Sequence, residues 1–167
     1  MRIEDIAAFQ FVFQEEIYLL NGDRDWYSNK MITGPADSPP VTGFSYLGGN
    51  KKNFLVIVHY PEAVYMDKMH LAALENTVKR LGFLLDDIAI FNRANYPDAL
   101  SEQLMGYFNP QKLLLQGKKT LLPGMENLPV NKIQEIKNCR KLYTFSFAEM
   151  MDNTENKKVF WEQIKQL

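Results

Sequence analysis

Residues 53–92 constrain the fold of this chain more tightly than any other part of it. Phe54, Leu55, Val56, Ile57 and Val58 form an uninterrupted apolar run. A run of that kind fits a strand covered on both faces, as central parallel strands are. A helical stripe follows, with Leu71, Leu74, Val78 and Leu81 on one face and Lys68, Glu75 and Lys79 off it, and Gly82 supplies a left-handed stop. Ile88, Ala89, Ile90 and Phe91 then make a second apolar run. Strand, helix and strand together are one βαβ unit, and the right-handed crossover makes its two strands parallel neighbours.

The pattern continues downstream. Tyr96-Pro97-Asp98 opens a helix through Leu100, Leu104 and Met105 that must end before Pro110, because the residue ahead of a proline disfavours helix. A third strand is expected at 112–115 and a fourth at 142–147, with a closing helix carrying Val159, Phe160, Trp161 and Ile164. Gly117, Lys118, Lys119 and Thr120 lead a short helical turn, and the stretch from there to Lys141 has little pattern. The expected fold class is therefore α/β, a parallel sheet covered on both faces. Such sheets hold ligands beyond the carboxyl ends of their strands.

The N-terminal third reads differently. Ile6, Phe9, Phe13, Ile17 and Leu20 recur at helical spacing, and Asn21-Gly22 ends that helix. From residue 23 to 52 periodicity gives way to prolines and glycines with scattered aromatics at Trp26, Tyr27, Phe44 and Tyr46. A loop of that length calls for a role, and its aromatics argue against full disorder. Tyr46, Leu47, Gly48 and Gly49 also fit an edge strand and turn. The division expected is an interaction arm over 1–52, with Phe9, Phe13, Ile17, Trp26 and Tyr27 as partner-binding candidates, and an α/β domain over 53–167.

Composition narrows the function classes. The chain has 167 residues, of which 46% are hydrophobic, enough for one compact α/β domain. Nineteen basic against twenty acidic side chains leave a net charge of -1, so a polyanion would need a local patch such as Lys51-Lys52, Lys118-Lys119 or Lys137 with Arg140-Lys141. The lone cysteine, Cys139, allows no internal disulfide and no cysteine-ligated cluster, and it fits a reducing compartment. No secretory start and no apolar run of the ~18 residues needed for a membrane span is found, so a cytoplasmic protein is expected.

The order of elements and their wording resemble the uracil-DNA glycosylase-like superfamily. Leu81-Gly82, the acidic pair Asp86-Asp87, the strand at 88–91 and Asn92 match one of its passages. Pro110, the strand at 112–115 and Gly117 match a second, and residues 143–147 with Lys157 and Trp161 match the last strand and helix. The resemblance covers residues 53–167. It implies a three-layer α/β/α sandwich whose sheet has four parallel strands in the order 2-1-3-4. The superfamily includes a non-catalytic branch, the psi-subunit family of bacterial DNA polymerase III clamp loaders, which act as protein–protein adaptors.

Departures from the family pattern point to that silent branch. Where active members carry a glycine-containing acidic loop, this chain has His59, Tyr60, Pro61, Glu62 and Ala63. That bulk would obstruct a flipped base. Where they carry His-Pro-Ser, it has Ser146, Phe147 and Ala148, and a serine cannot give a departing base the electrostatic help of a histidine. Among matched functional positions Asn92 alone keeps its residue type.

Each candidate also has a plainer explanation. Glu62 could act as a base if buried, or could simply be solvated or cap a helix. His59 ends the strongest strand, yet neither it nor His70 has a companion at metal-ligand spacing, so no metal or cofactor is expected. Asn92 could read a ligand edge or hold its own turn. Gly117 with Lys118 hints at an anion seat, but a P-loop needs glycine in place of Lys112 and Ser or Thr in place of Lys119. The candidate crevice set is His59, Tyr60, Glu62, Asn92, Gly117 and Ser146. The expected function is a catalytically inactive adaptor with a clamp-loader-type protein partner; a nucleic-acid or nucleotide-binding module and a divergent glycosylase are the alternatives.

Overall fold

The structure, a computed structural model, describes residues 43–167. The expected helix through Phe9, Phe13 and Ile17, and the candidates Trp26 and Tyr27, lie outside the described residues. In chain order the strands are β1 (Leu47–Gly48), β2 (Phe54–Val58), β3 (Ile88–Asn92), β4 (Lys112–Gln116), β5 (Lys132–Ile136) and β6 (Cys139–Thr144). The helices are α1 (Lys68–Arg80), α2 (Ser101–Phe108), α3 (Phe147–Met151) and α4 (Thr154–Ile164).

One six-stranded mixed sheet runs β1-β3-β2-β4-β6-β5. Its four central strands are parallel, in the spatial order the resemblance implies. The expectation of a four-stranded, wholly parallel sheet is corrected at both edges. β1 pairs antiparallel with β3, and β5 pairs antiparallel with β6. Four parallel strands alone would leave β3 and β6 with open rows of backbone donors and acceptors, and these two short strands cover them.

The central strands are continuously apolar because both faces are covered. Every residue of β2 and β3 is buried. Alternate side chains divide between two cores. Phe54, Val56, Ile90 and Leu142 meet Leu74 and Val78 of α1, Phe147 and Met150 of α3, and Phe160 of α4. Leu55, Ile57, Phe91 and Leu113 meet Leu104 and Phe108 of α2 and the loop residues Leu122, Met125 and Leu128. No described helix is long and apolar enough to cross a membrane.

Local signals explain the ends of α1. Asp67 accepts hydrogen bonds from the N–H groups of Met69 and His70 at 2.9 and 3.3 Å. At the other end Gly82 sits at φ +80°, its N–H donates to the Lys79 carbonyl, and the Phe83 N–H reaches back to Val78 at 2.9 Å. That paired closure is a Schellman motif, and a left-handed glycine permits it.

Two expectations shift in position. The last strand occupies 139–144 rather than 142–147, and Phe147 opens α3 because Ser146 and Glu149 form a capping box there. Residues 43–52, expected in the arm, pair and pack with the sheet. Phe44 is buried against Phe91, Tyr96, Tyr107 and Phe108, and Leu47–Gly48 is the edge strand its residues allowed.

Candidate functional site

Parallel register brings the carboxyl ends of β2, β4 and β6 side by side, with Ile57 beside Leu115 and Gln116 beside Thr144. The loops leaving those ends enclose a crevice of about 420 Å³. His59, Tyr60, Gln116, Gly117, Ser146 and Phe147 line it, and the exposed Lys118 and Lys119 stand at its edge. Its size and position match the usual small-molecule site of an open α/β sheet.

Gly117 makes the crevice by letting the chain turn sharply. It has φ +86°, its N–H donates to the Thr144 carbonyl at 2.9 Å, and a Cβ there would stand 3.1 Å from that of Ser146. Lys118–Thr120 follow as a 3-10 turn that Thr120 locks, its hydroxyl donating to the Gly117 carbonyl at 2.8 Å. Arg93 braces the same loop from behind. Its Nη1 donates to the carbonyls of Lys119 and Leu121 at 2.7 and 2.8 Å.

Gln116 is the chemically conspicuous residue of the site. Its side chain is 4% exposed, and among the described residues neither Nε2 nor Oε1 has a hydrogen-bond partner. A buried primary amide with no partner costs stability, and native structures rarely keep one without use. Nearby His59 also has a buried Nδ1 without a partner. Burial first, then the charges of Lys119 and Arg93, push the His59 pKa below the ordinary imidazole value. At neutral pH the ring is therefore uncharged, offering one donor and one acceptor.

The remaining lining groups are spoken for. The Tyr60 hydroxyl and His70 Nδ1 are 2.9 Å apart, and burial, with a smaller effect from Asp67, pushes the phenol pKa up to about 12. Ser146 donates its hydroxyl to Glu149 at 2.7 Å and accepts the Glu149 N–H, so it serves as a helix cap. Cys139 lies in the core on the α2 side, where burial raises its thiol pKa.

Of the six crevice candidates the structure brings together His59, Tyr60, Gly117 and Ser146. Glu62 is exposed and not part of the lining. Asn92 is 1% exposed and holds the loop after β2. Its Oδ1 accepts the Tyr60 N–H at 2.9 Å, and its Nδ2 donates to the Tyr60 and Ala63 carbonyls at 2.8 Å each. Gln116 and Arg93 were not singled out by sequence. The available signal for Gln116 was a polar residue closing the apolar run of β4 directly before a glycine.

No family model matches the chain, and no curated protein matches it.

Proposed function

We propose that this domain is a non-catalytic nucleic-acid or nucleotide-binding module whose crevice takes a base and whose edge takes a phosphate. The unpartnered amide of Gln116 carries the reading: both its polar atoms are sealed in the crevice wall, and the side chain turns out from that wall to meet a base. An amide presents a donor and an acceptor side by side, the pattern that matches the edge of a nucleobase. Lys118 and Lys119 supply positive charge next to it for a phosphate contact. Catalysis has little support in this geometry, since the Ser146 hydroxyl caps a helix and Glu62 stands outside the lining.

Fluorescence anisotropy with a single-stranded oligonucleotide across a salt series tests this. Wild-type protein is expected to bind with an affinity that falls steeply with salt, and Lys118→Ala with Lys119→Ala to weaken binding and flatten that slope. Gln116→Leu is expected to lose base preference while keeping the slope. Absent binding at low salt, or binding indifferent to all three substitutions, contradicts the proposal. Base release from a uracil-containing duplex that disappears in Glu62→Gln would establish a divergent glycosylase instead.

An adaptor role is a second reading, favoured by an apolar groove of about 280 Å³ between α1, α3 and α4. Ala73, Met150, Met151, Phe160 and Trp161 line it, with Arg80 and Lys157 among them. Neither cation has a carboxylate partner among the described residues, so the groove fits an acidic amphipathic helix of a protein partner, of clamp-loader type by resemblance. Met151→Glu should abolish capture of such a partner without changing the melting temperature.

A further inference from the structure

A second cleft of about 420 Å³ lies on the α2 side of the sheet and shares no lining residue with the crevice. Met105 from α2, Met125 and Leu128 from the loop after β4, and Ile136 from β5 give it apolar walls. Lys141 of β6 belongs to its lining. By register Lys141 stands between Leu113 of β4 and Gln134 of β5, and the neighbouring same-face position on its strand is the buried Cys139. The residue is only 9% exposed. Among the described residues its ammonium makes no hydrogen bond and no ion pair.

The stem of Lys141 is buried, while its ammonium is not among the side-chain atoms sealed from solvent without a partner. Such a lysine packs its methylenes along apolar walls and keeps its charged end at the open part of the cleft, available to an anion. The exposed Lys137 and Glu102 also contribute to the cleft, so its lining carries two cations and one carboxylate. The lining has one positive charge in excess, and Lys141 is the cation rooted in the sheet beside the apolar walls.

We infer that this cleft binds a small amphiphilic monocarboxylate, its head group on Lys141 and its apolar body between Met105, Met125, Leu128 and Ile136. A phosphate dianion would want several converging donors, whereas one cation beside apolar walls matches one negative charge on a hydrocarbon body. The two methionines suit a body of variable shape, being unbranched and polarizable.

The test titrates the full chain with decanoate, held below its micellar concentration, and separately with 1-decanol, following backbone amide shifts by NMR. Decanoate is expected to shift the signals of Met125, Leu128 and Ile136 and to bind wild-type protein at least about tenfold more tightly than decanol, the difference one charge-assisted hydrogen bond makes. Lys141→Met should lose that preference, binding both compounds alike, while Lys141→Arg keeps it. Equal wild-type affinity for the acid and the alcohol overturns the inference even if neither variant folds. So does decanoate that moves signals only elsewhere, or undiminished preference in Lys141→Met.

Discussion

Two side-chain amides at the carboxyl ends of parallel strands meet opposite fates. Asn92, closing β3, spends its acceptor and both donor hydrogens on the backbone around Tyr60 and Ala63. Gln116, closing β4, spends nothing. In the sequence the two look alike, each a polar residue at the end of an apolar run, and only the path of the following loop separates them. The 60–64 loop folds back over Asn92, while Gly117 turns the chain away from Gln116. Opposite responses to substitution are therefore expected in urea unfolding. Asn92→Ala strands several backbone groups and should cost about 1–3 kcal/mol, whereas Gln116→Leu removes two unmet polar atoms and should leave stability unchanged or raise it by up to about 1 kcal/mol. A Gln116→Leu protein less stable than Asn92→Ala would mean that the amide has partners in the folded chain.

Among the elements, those built on long apolar runs or a clear helical stripe were legible, and those built on backbone geometry were not. The central parallel strands and α1 could be read because burial on both faces, or on one stripe, demands its own residue pattern. β5 could not. Its Ile133 and Ile136 stand three apart, a helical spacing, and the strand owes its place to pairing with β6 through a two-residue turn at Lys137 and Asn138, both with φ above +50°. β1, which the sequence allowed as an edge strand at 46–49, depends for its pairing on a close approach that only glycine permits. Gly48 has φ +102°, and a Cβ there would stand 2.3 Å from the Ile88 carbonyl oxygen and 2.6 Å from that of Leu85. Gly82, at φ +80°, has open space around the same position. Gly82→Ala should cost about 1 kcal/mol for its left-handed backbone alone, and Gly48→Ala clearly more, because the backbone it meets cannot move aside. Paired urea melts give the order, and equal costs would contradict this account of the edge.

At the scale of the molecule, charge sets a pH profile. Asp87 is held below the ordinary carboxylate range, first by the Leu84 N–H and then by Lys52, whose Nζ lies 3.0 Å away. Its stabilising contribution is present above about pH 4 and is lost as pH falls through its depressed pKa. His59 acts in the same direction higher up the scale. With its folded pKa lowered, it contributes no change above about pH 6.5, and below that the unfolded chain takes up the proton first, so stability declines. The melting temperature should therefore fall from pH 7 to pH 5 and again toward pH 3, and His59→Gln should flatten the upper part of that fall. A profile with no decline between pH 7 and pH 5 would place the imidazole in solvent.

The feature at the centre of the proposed function is the crevice at the carboxyl edge of the parallel strands, with an unmet amide in its wall. The most direct test is an NMR titration of the full chain with thymidine monophosphate. The side-chain amide of Gln116 and the ring of His59 are predicted to shift first and together, with the Lys118 and Lys119 backbone signals following. Unmoved signals at saturating ligand, or shifts confined to the opposite face of the sheet, would contradict the account.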